Sequence, residues 1–423
     1  MTYIKNLEEL STNKKRRDAL KILNAGYEAI NTKEVIRSKI KIKDNILTVK
    51  NKEFDLSKYE NIYFIGIGKC SLEAGKILED ILENYIKDGI VIDTTEGKLK
   101  KIKTYTGTHP WPSEKNLSVG KEINDLLRST SEKDLIINVI SGGGSALLSF
   151  PYKISIEELI ETNKALTKKG ADIYELNTVR KHLSSLKGGQ MAKIASPAEV
   201  ISLIFSDVPG NDTSIIASGP TVKDETYIKD AENVLKKYNL WNEKYEHFLT
   251  ETPKEESWFE KVNNFLILTN SDAVEAMEKK AEELGYETIP GNKEISGEAK
   301  TVGKKIASID LSPGKVQINA GETTVKITGN GKGGRNQEVA LSALSNLQPE
   351  SVFISAASDG IDNSDVAGAI CDKETKANVK KLYLDPDQFI LDNNSYNFFA
   401  KVGGQIITGA TGSNVSDLYI LLN

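Results

Sequence analysis

The sequence predicts an α/β protein of two domains, an N-terminal one on a parallel, doubly wound sheet and a smaller C-terminal one on a mixed sheet. Three observations carry this reading. Short apolar runs alternate with stretches of helical spacing, most of the runs end in loops of Gly, Ser, Asp or Asn, and 423 residues exceed one ordinary core.

The run "NIYFIGIG" (61–68) ends in glycines, and "SLEAGKILEDILENYI" after it repeats Leu, Ile and Ala at helical intervals. "GIVIDTT", "DLIINVIS" and "EVISLIFSD" are further buried-strand candidates, separated by helical stretches such as "SIEELIETNKALTKK" and "NTVRKHLSSLKGGQMAKIA". Buried strands alternating with helices predict a parallel sheet. A polar segment around Pro253, "TETPKEESW", marks the boundary, giving domains of 1–250 and 251–423. The second opens with "NFLILTNS" and the helix "DAVEAMEKKAEELG", followed by the strand candidates "KVQINAG", "SVFISAAS", "GQIITG" and "DLYILL". Short strands with fewer long helices predict a mixed sheet.

With 39% hydrophobic and 27% charged residues the composition is that of a folded globular protein. A net charge of −5 and a pI near 5.6 argue against nucleic acid as a partner. The cluster Lys14-Lys15-Arg16-Arg17 runs into the apolar-periodic "DALKILNAGYEAI" and reads as a solvated helix face. Cys70 and Cys371 read as reduced thiols of a cytosolic protein. No apolar run approaches the ~20 residues of a spanning helix, so no membrane partner and a cytoplasmic location are expected. A monomer and a homodimer both remain open.

The strand-end loops are "GIGKCS", "SGGGSALLS", "SDVPGNDTSIIASGPT", "GNGKGGRNQE", "SDGIDNSDVAGA" and "TGATGSNVSD". In open α/β sheets such loops gather at the carboxyl edge, where ligands bind. Six of them, shared between two domains, predict an active site in the interdomain cleft. Glycine lets successive amides point at one anion, and a following helix adds its positive end. Lys332 and Arg335 in "TGNGKGGRNQE" would add full charge to such a phosphate site, together with Gly333 and Gly334. For any one loop, ordinary turn chemistry is the competing reading.

"GIGKCS" also supports a dinucleotide reading. Gly66 and Gly68 stand where turn and pyrophosphate glycines would, and Asp93 lies at the distance of a ribose-binding acid. Against it, Ser71 occupies the third glycine position and Lys69 sits inside the loop, where a cation suits a transferring phosphoryl group. No G-x-x-x-x-G-K-[ST] loop and no protein-kinase motif set occurs.

Eight strings in order, "GIGKCS", "THPWPSE", "SGGGSALL", "VRKHLSSLKGGQMA", "SDVPGNDTSIIASGPT", "GETTVKITGNGKGGRNQEVAL", "SDGIDNSDVAGAI" and "TGATGSNVSDLYILL", resemble those of the class II glycerate kinases, the glycerate 2-kinase family. The resemblance runs from about residue 60 to the C-terminus. It implies a Rossmann-like three-layer N-terminal domain and a second α/β domain of MOFRL type. It also implies ATP and Mg²⁺ as cofactors, and transfer of the γ-phosphoryl group to the 2-hydroxyl of D-glycerate. Some members of the family carried the label hydroxypyruvate reductase, so an NAD(P)-dependent oxidoreductase is the alternative, and a non-catalytic nucleotide- or sugar-acid-binding protein a third reading.

Lys69 matches the lysine that the resemblance marks as essential, and Arg335 its arginine. Phosphoryl transfer asks for positioning and countercharge, which two cations supply. Ser141, Gly142, Gly143, Gly144 and Ser145 form the candidate amide cradle for nucleotide phosphates, backed by the helix they open. Asp207 and Asn211 are hard oxygen donors suited to Mg²⁺. Arg180 and Lys187, seven apart on one expected helix, are candidate anchors for the glycerate carboxylate, with His182 nearby. His109 is a candidate for orienting a hydroxyl, and Asp359 and Asp362 for holding metal or glycerate hydroxyls. The chain departs from the family pattern at Ser113-Glu114, Asn363-Ser364 and Ser413. Asn363-Ser364 alters a turn near the expected substrate site, so a related short hydroxy acid or sugar acid stays open.

Overall fold

The four buried runs of the N-terminal half form neighbouring strands of one sheet. In the computed structural model, which describes residues 2–423, an antiparallel meander of Ile40–Lys43 (β1), Ile46–Val49 (β2) and Lys52–Asp55 (β3) comes first. The main sheet follows, from Asn61–Ile67 (β4), Ile86–Asp93 (β5), Lys103–Thr106 (β6), Asp134–Ile140 (β7), Glu199–Phe205 (β8) and Val262–Leu268 (β9). Its order is β6-β5-β4-β7-β8-β9, and the β4–β5, β5–β6, β4–β7 and β7–β8 pairs are parallel. Every residue of β7 is buried, as expected of a strand covered on both faces. The chain winds outward from β4 through β5 to β6, then returns to β7 on the other side of β4. The topological switch point therefore lies between β4 and β7, and their carboxyl-end loops are those containing Lys69 and Ser141–Ser145.

The C-terminal strands are Glu287–Ile289 (β10), Ile295–Glu298 (β11), Lys315–Thr324 (β12), Val352–Ala357 (β13), Gly368–Cys371 (β14), Gln405–Ile406 (β15) and Asp417–Leu422 (β16). Their sheet runs β10-β12-β16-β13-β14-β15, with β11 also on β12. β10 and β11 are parallel to β12 while the remaining pairs are antiparallel, so the sheet is mixed as expected. The helices Ala299–Ala307 and Arg335–Ala343 pack closely on each other. A Cβ on Gly303 would lie 2.2 Å from the Val339 carbonyl oxygen, so only glycine permits this approach.

The chain divides into two compact units, but not at residue 250. One, the parallel-sheet unit, is Val35–Ser206 with Asn211–Ile267; the other, the mixed-sheet unit, takes Leu268–Asn423, Asp207–Gly210 and the residues before Val35. Two expectations are corrected. "NFLILTNS" supplies β9, which extends the parallel sheet beside β8. The N-terminal helix Lys14–Ala29 packs instead on the helix Asn270–Glu283, where a Cβ on Gly26 would lie 2.7 Å from Met277 Sδ. Its basic cluster is not wholly solvated: Arg16 is buried, with Nε 2.8 Å from Asp372 Oδ2 and Nη2 donating to Thr375. Such a pair fixes where the helix docks. Neither cysteine is in a disulfide, and burial pushes the Cys371 thiol up to about 12. Among the described residues no helix is long and apolar enough to cross a membrane.

Candidate active site

In the parallel-sheet unit the β4 and β7 loops are locked together. The Lys69 amide donates to the Gly142 carbonyl at 2.9 Å, and the Ser141 hydroxyl is buried between Ile67 O and the Cys70 amide. Gly68 has φ +118°, and a Cβ there would sit 2.1 Å from Ser141 Oγ, so glycine is required by both conformation and space. Gly143, at φ +80°, passes under the lysine: a Cβ on it would meet Lys69 Cγ at 3.1 Å and His109 Cδ2 at 3.2 Å. Lys69 is exposed, and its Nζ has no hydrogen-bonding or ionic partner among the described residues. A cation held by its stem over a glycine turn, with its head unpaired, is available to an anion.

The sequence reading of these loops needs three corrections. Gly66 lies inside β4, buried against Val91 and Ser71, where it serves strand packing and not a phosphate turn. Ser141 spends its hydroxyl on the neighbouring loop. The helix opened by "SGGGS" is only Gly144–Leu147, too short to add much of a dipole. The dinucleotide reading also loses its acid. Asp93 is 1% exposed, with Oδ2 accepting the Leu72 amide at 2.9 Å and Oδ1 the Thr95 amide at 3.0 Å. It caps the helix Ser71–Ile81 and is not open to a ribose.

Beside Gly143 lies a cavity of about 200 Å³ lined by His109, Trp111, Ser145, Asn163, Arg180, Ser184 and Lys187, with an apolar side of Phe150, Pro151 and Leu159. Arg180 and Lys187 meet here, though not through a shared helix. The helix carrying Arg180 is Ile173–His182, and Lys187 follows in a run of turns. Arg180 Nε donates to Asn163 Oδ1 at 2.9 Å, and Lys187 Nζ donates to the Leu148 carbonyl. Burial, and next the Arg180 charge, bring the Lys187 ammonium down to about 7. Burial, then the charge of Lys69, lower His109 to about 4, leaving a neutral imidazole at pH 7. A half-buried Arg180 and a buried Lys187, with no carboxylate among the lining side chains, make a pocket suited to a small anion. His182 belongs elsewhere. It is fully buried, with Nδ1 2.8 Å from Thr178 O and Nε2 3.2 Å from Glu251.

The glycine loop of the mixed-sheet unit is built differently from the expected amide cradle. Gly329, Gly331, Gly333 and Gly334 are absent from the positive-φ positions. They are small because another segment lies against them: a Cβ on Gly331 would be 2.4 Å from Asn394 Cβ, and one on Gly329 2.4 Å from Asp392 Cα. The amides of Thr328, Gly329, Asn330, Gly331 and Lys332 all donate into Asp392, Asn393 and Asn394. Only the amides from Gly333 onward are not tied to that segment. Lys332 Nζ rests 3.6 Å from the Tyr396 ring centroid and 3.7 Å from Asp365.

Arg335 opens the helix Arg335–Ala343 and is clamped. Nε and Nη2 make a bidentate pair with Asp417 at 2.7 and 3.0 Å, and Nη1 reaches Glu322 at 2.8 Å. Burial opposes its charge, but Asp417 and Glu322 hold the guanidinium firmly protonated. Sequence reasoning missed both partners. Asp417, at 0% exposure, also accepts Asn336 Nδ2 at 2.8 Å. Asp362, expected among the substrate ligands, instead accepts the Asn336 and Gln337 amides at 2.9 Å each and is 3% exposed. It is the cap of this helix. Asp359 Oδ1 accepts the Ile361 amide in the turn before it. Asn363, at φ +52°, donates to Gly333 O, so the departure from the family pattern sits against the glycine loop.

Among the described residues no group of three or more His, Cys, Asp or Glu is placed to hold a metal. Asn211, in the left-handed region at φ +55°, has a buried Oδ1 with no hydrogen-bond partner. An orphaned amide oxygen fits a hard cation that keeps several waters. The Asp207 carbonyl accepts Ser416 Oγ at 2.7 Å.

A lysine at the switch point of a doubly wound sheet, beside a small pocket lined by Arg180 and Lys187, is an arrangement suited to binding a small anion. The chain belongs to a two-part family: residues 18–250 match the "Domain of unknown function (DUF4147)" and residues 315–417 the "MOFRL family". A Pyrococcus horikoshii protein named glycerate 2-kinase is 37% identical over 96% of this chain and 97% of its own length. The crystal structure of a glycerate kinase from Thermotoga maritima superposes with a TM-score of 0.85 at 33% identity, covering 96% of this chain and 98% of that one. An Agrobacterium vitis protein named putative hydroxypyruvate reductase is 33% identical, over 85% of this chain and 86% of its own.

Proposed function

We propose that this protein is a glycerate 2-kinase, transferring the γ-phosphoryl group of ATP to the 2-hydroxyl of D-glycerate. The observation that carries the reading is the small pocket holding Arg180 and Lys187 next to the unpaired Lys69 at the switch point. Arg180 and Lys187 are assigned to the acid's carboxylate, and neutral His109 to a hydroxyl. Lys69 and Arg335 are assigned to phosphoryl oxygens, with the amides of Gly143, Gly333 and Gly334 as further donors. Asn211 and Asp207 are the proposed Mg²⁺ donors, and the bound ion would neutralise phosphate charge. Relatives named glycerate 2-kinase and a structural neighbour named glycerate kinase support this over the reductase alternative, which the capping role of Asp93 also weakens.

The state of Lys187 gives the reading a pH signature. Its ammonium, brought down to about 7, is charged below that pH and neutral above it. The KM for D-glycerate is therefore expected to rise as pH increases through 7 to 8, with the KM for ATP following a different profile. Lys187→Met should abolish the glycerate-specific pH dependence, and an unchanged profile in that variant would remove Lys187 from the site. The function itself is tested by incubating the protein with D-glycerate, Mg²⁺ and ATP, and in parallel with hydroxypyruvate and NADH. Glycerate-dependent ADP release is expected; NADH consumption without it would favour the oxidoreductase.

A further inference from the structure

Ser145 lines the anion pocket, and the group its hydroxyl meets fixes where its proton goes. Asn177, three residues before Arg180 on the same helix, donates Nδ2 to the Ile173 carbonyl at 2.8 Å. That bond orients the amide so that Oδ1 faces Ser218. Ser218 Oγ donates its single proton to this oxygen at 2.6 Å, and both side chains are buried. Ser145 Oγ lies 2.9 Å from Ser218 Oγ. With the Ser218 proton already committed, Ser145 must be the donor of that bond.

Ser218 is held in place by unusual backbone. Ala217, Ser218 and Gly219 are consecutive left-handed residues at φ +51°, +62° and +58°. Gly144 packs directly on this turn, since a Cβ there would lie 2.5 Å from Ala217 Cβ. The chain Asn177–Ser218–Ser145 therefore has one proton sense, and Ser145 turns only lone pairs toward the cavity.

We infer that Ser145 is a specificity determinant that accepts a hydrogen bond from a hydroxyl of the bound acid and disfavours a carbonyl oxygen at the same position. Arg180, Lys187 and the pocket's other donors hold oxygens without regard to whether the neighbouring carbon is an alcohol or a ketone. Ser145 is the lining group whose proton direction the fold fixes, and it thereby separates a 2-hydroxy acid from its 2-keto counterpart. The choice of D-glycerate and its keto counterpart rests on the kinase reading.

The test is calorimetric binding of D-glycerate and of hydroxypyruvate, without nucleotide, to the wild type and to Ser145→Ala and Ser218→Ala. Wild type should bind D-glycerate about ten-fold more tightly than hydroxypyruvate. Ser145→Ala should lose roughly that factor for D-glycerate and leave hydroxypyruvate within about two-fold. In Ser218→Ala the Ser145 proton is released to the pocket, so hydroxypyruvate should gain affinity and the ratio should narrow. Equal weakening of both acids in Ser145→Ala, an unchanged ratio in Ser218→Ala, or no binding of D-glycerate would overturn the assignment. Turnover of the wild type judges the kinase reading separately, because neither acid's binding here depends on ATP.

Discussion

Lys69→Ala is expected to lower kcat for glycerate-dependent ADP formation by about 10²–10³-fold, the usual cost of one preorganised group at a developing charge. The fold should not notice. The Lys69 head has no partner and its amide bond to Gly142 is backbone, so alanine loses only the exposed stem lying over Gly143. Melting temperature should shift by less than about 2 °C, the range of exposed substitutions. The KM for D-glycerate should change little, since Arg180 and Lys187 are untouched. Steady-state kinetics with a thermal melt checks all three, and near wild-type turnover would end the assignment of Lys69 to the phosphoryl group.

Arg335→Ala should behave differently, and here the structure alters what the sequence alone leads one to expect. Activity should again fall by about two orders of magnitude or more. Stability should fall as well, because the variant strands the fully buried Asp417 carboxylate without its bidentate partner. Breaking a buried pair typically costs about 3–5 kcal/mol; with Arg335 itself 32% exposed we expect about 2–3 kcal/mol. At roughly 2–4 °C per kcal/mol for a unit of this size, the melting temperature should fall by several degrees. Adding Asp417→Asn removes the stranded charge. The double variant should regain part of the lost stability and none of the activity, which separates the clamp from the chemistry. A single variant as stable as wild type would contradict the clamp.

The fold was largely legible because its signals are local. "NIYFIGIG", "DLIINVIS" and "EVISLIFSD" are buried on both faces and so read as apolar runs, and they are the adjacent strands β4, β7 and β8. What the sequence hid depends on long-range pairing. β9 looked like the start of a new domain because nothing in "NFLILTNS" says which sheet edge it joins. β14 lies in a stretch of Gly, Asp and Asn that reads as loop until its antiparallel partners β13 and β15 are known.

The site was legible in part for the same reason. Residue type and motif singled out Lys69, His109, Arg180 and Lys187, and the fold gathers the last three around one cavity bordered by Gly143. Spacing misled where it assumed a helix running from Arg180 to Lys187, which ends at His182. Glycine content misled at residues 329–334, because a glycine needed for close backbone approach and one needed for positive φ look identical in a sequence. Asp417 and Glu322 could not have been found, since an acid on a strand reveals its cationic partner only after the strand is placed.

The most direct single measurement is the phosphorus NMR spectrum of the wild-type reaction with D-glycerate, Mg²⁺ and ATP. A new phosphomonoester resonance coupled to the proton on carbon 2, growing in step with ADP, is the expected result. Phosphate on carbon 3, or no phosphomonoester beyond ATP hydrolysis, would contradict the proposed transfer.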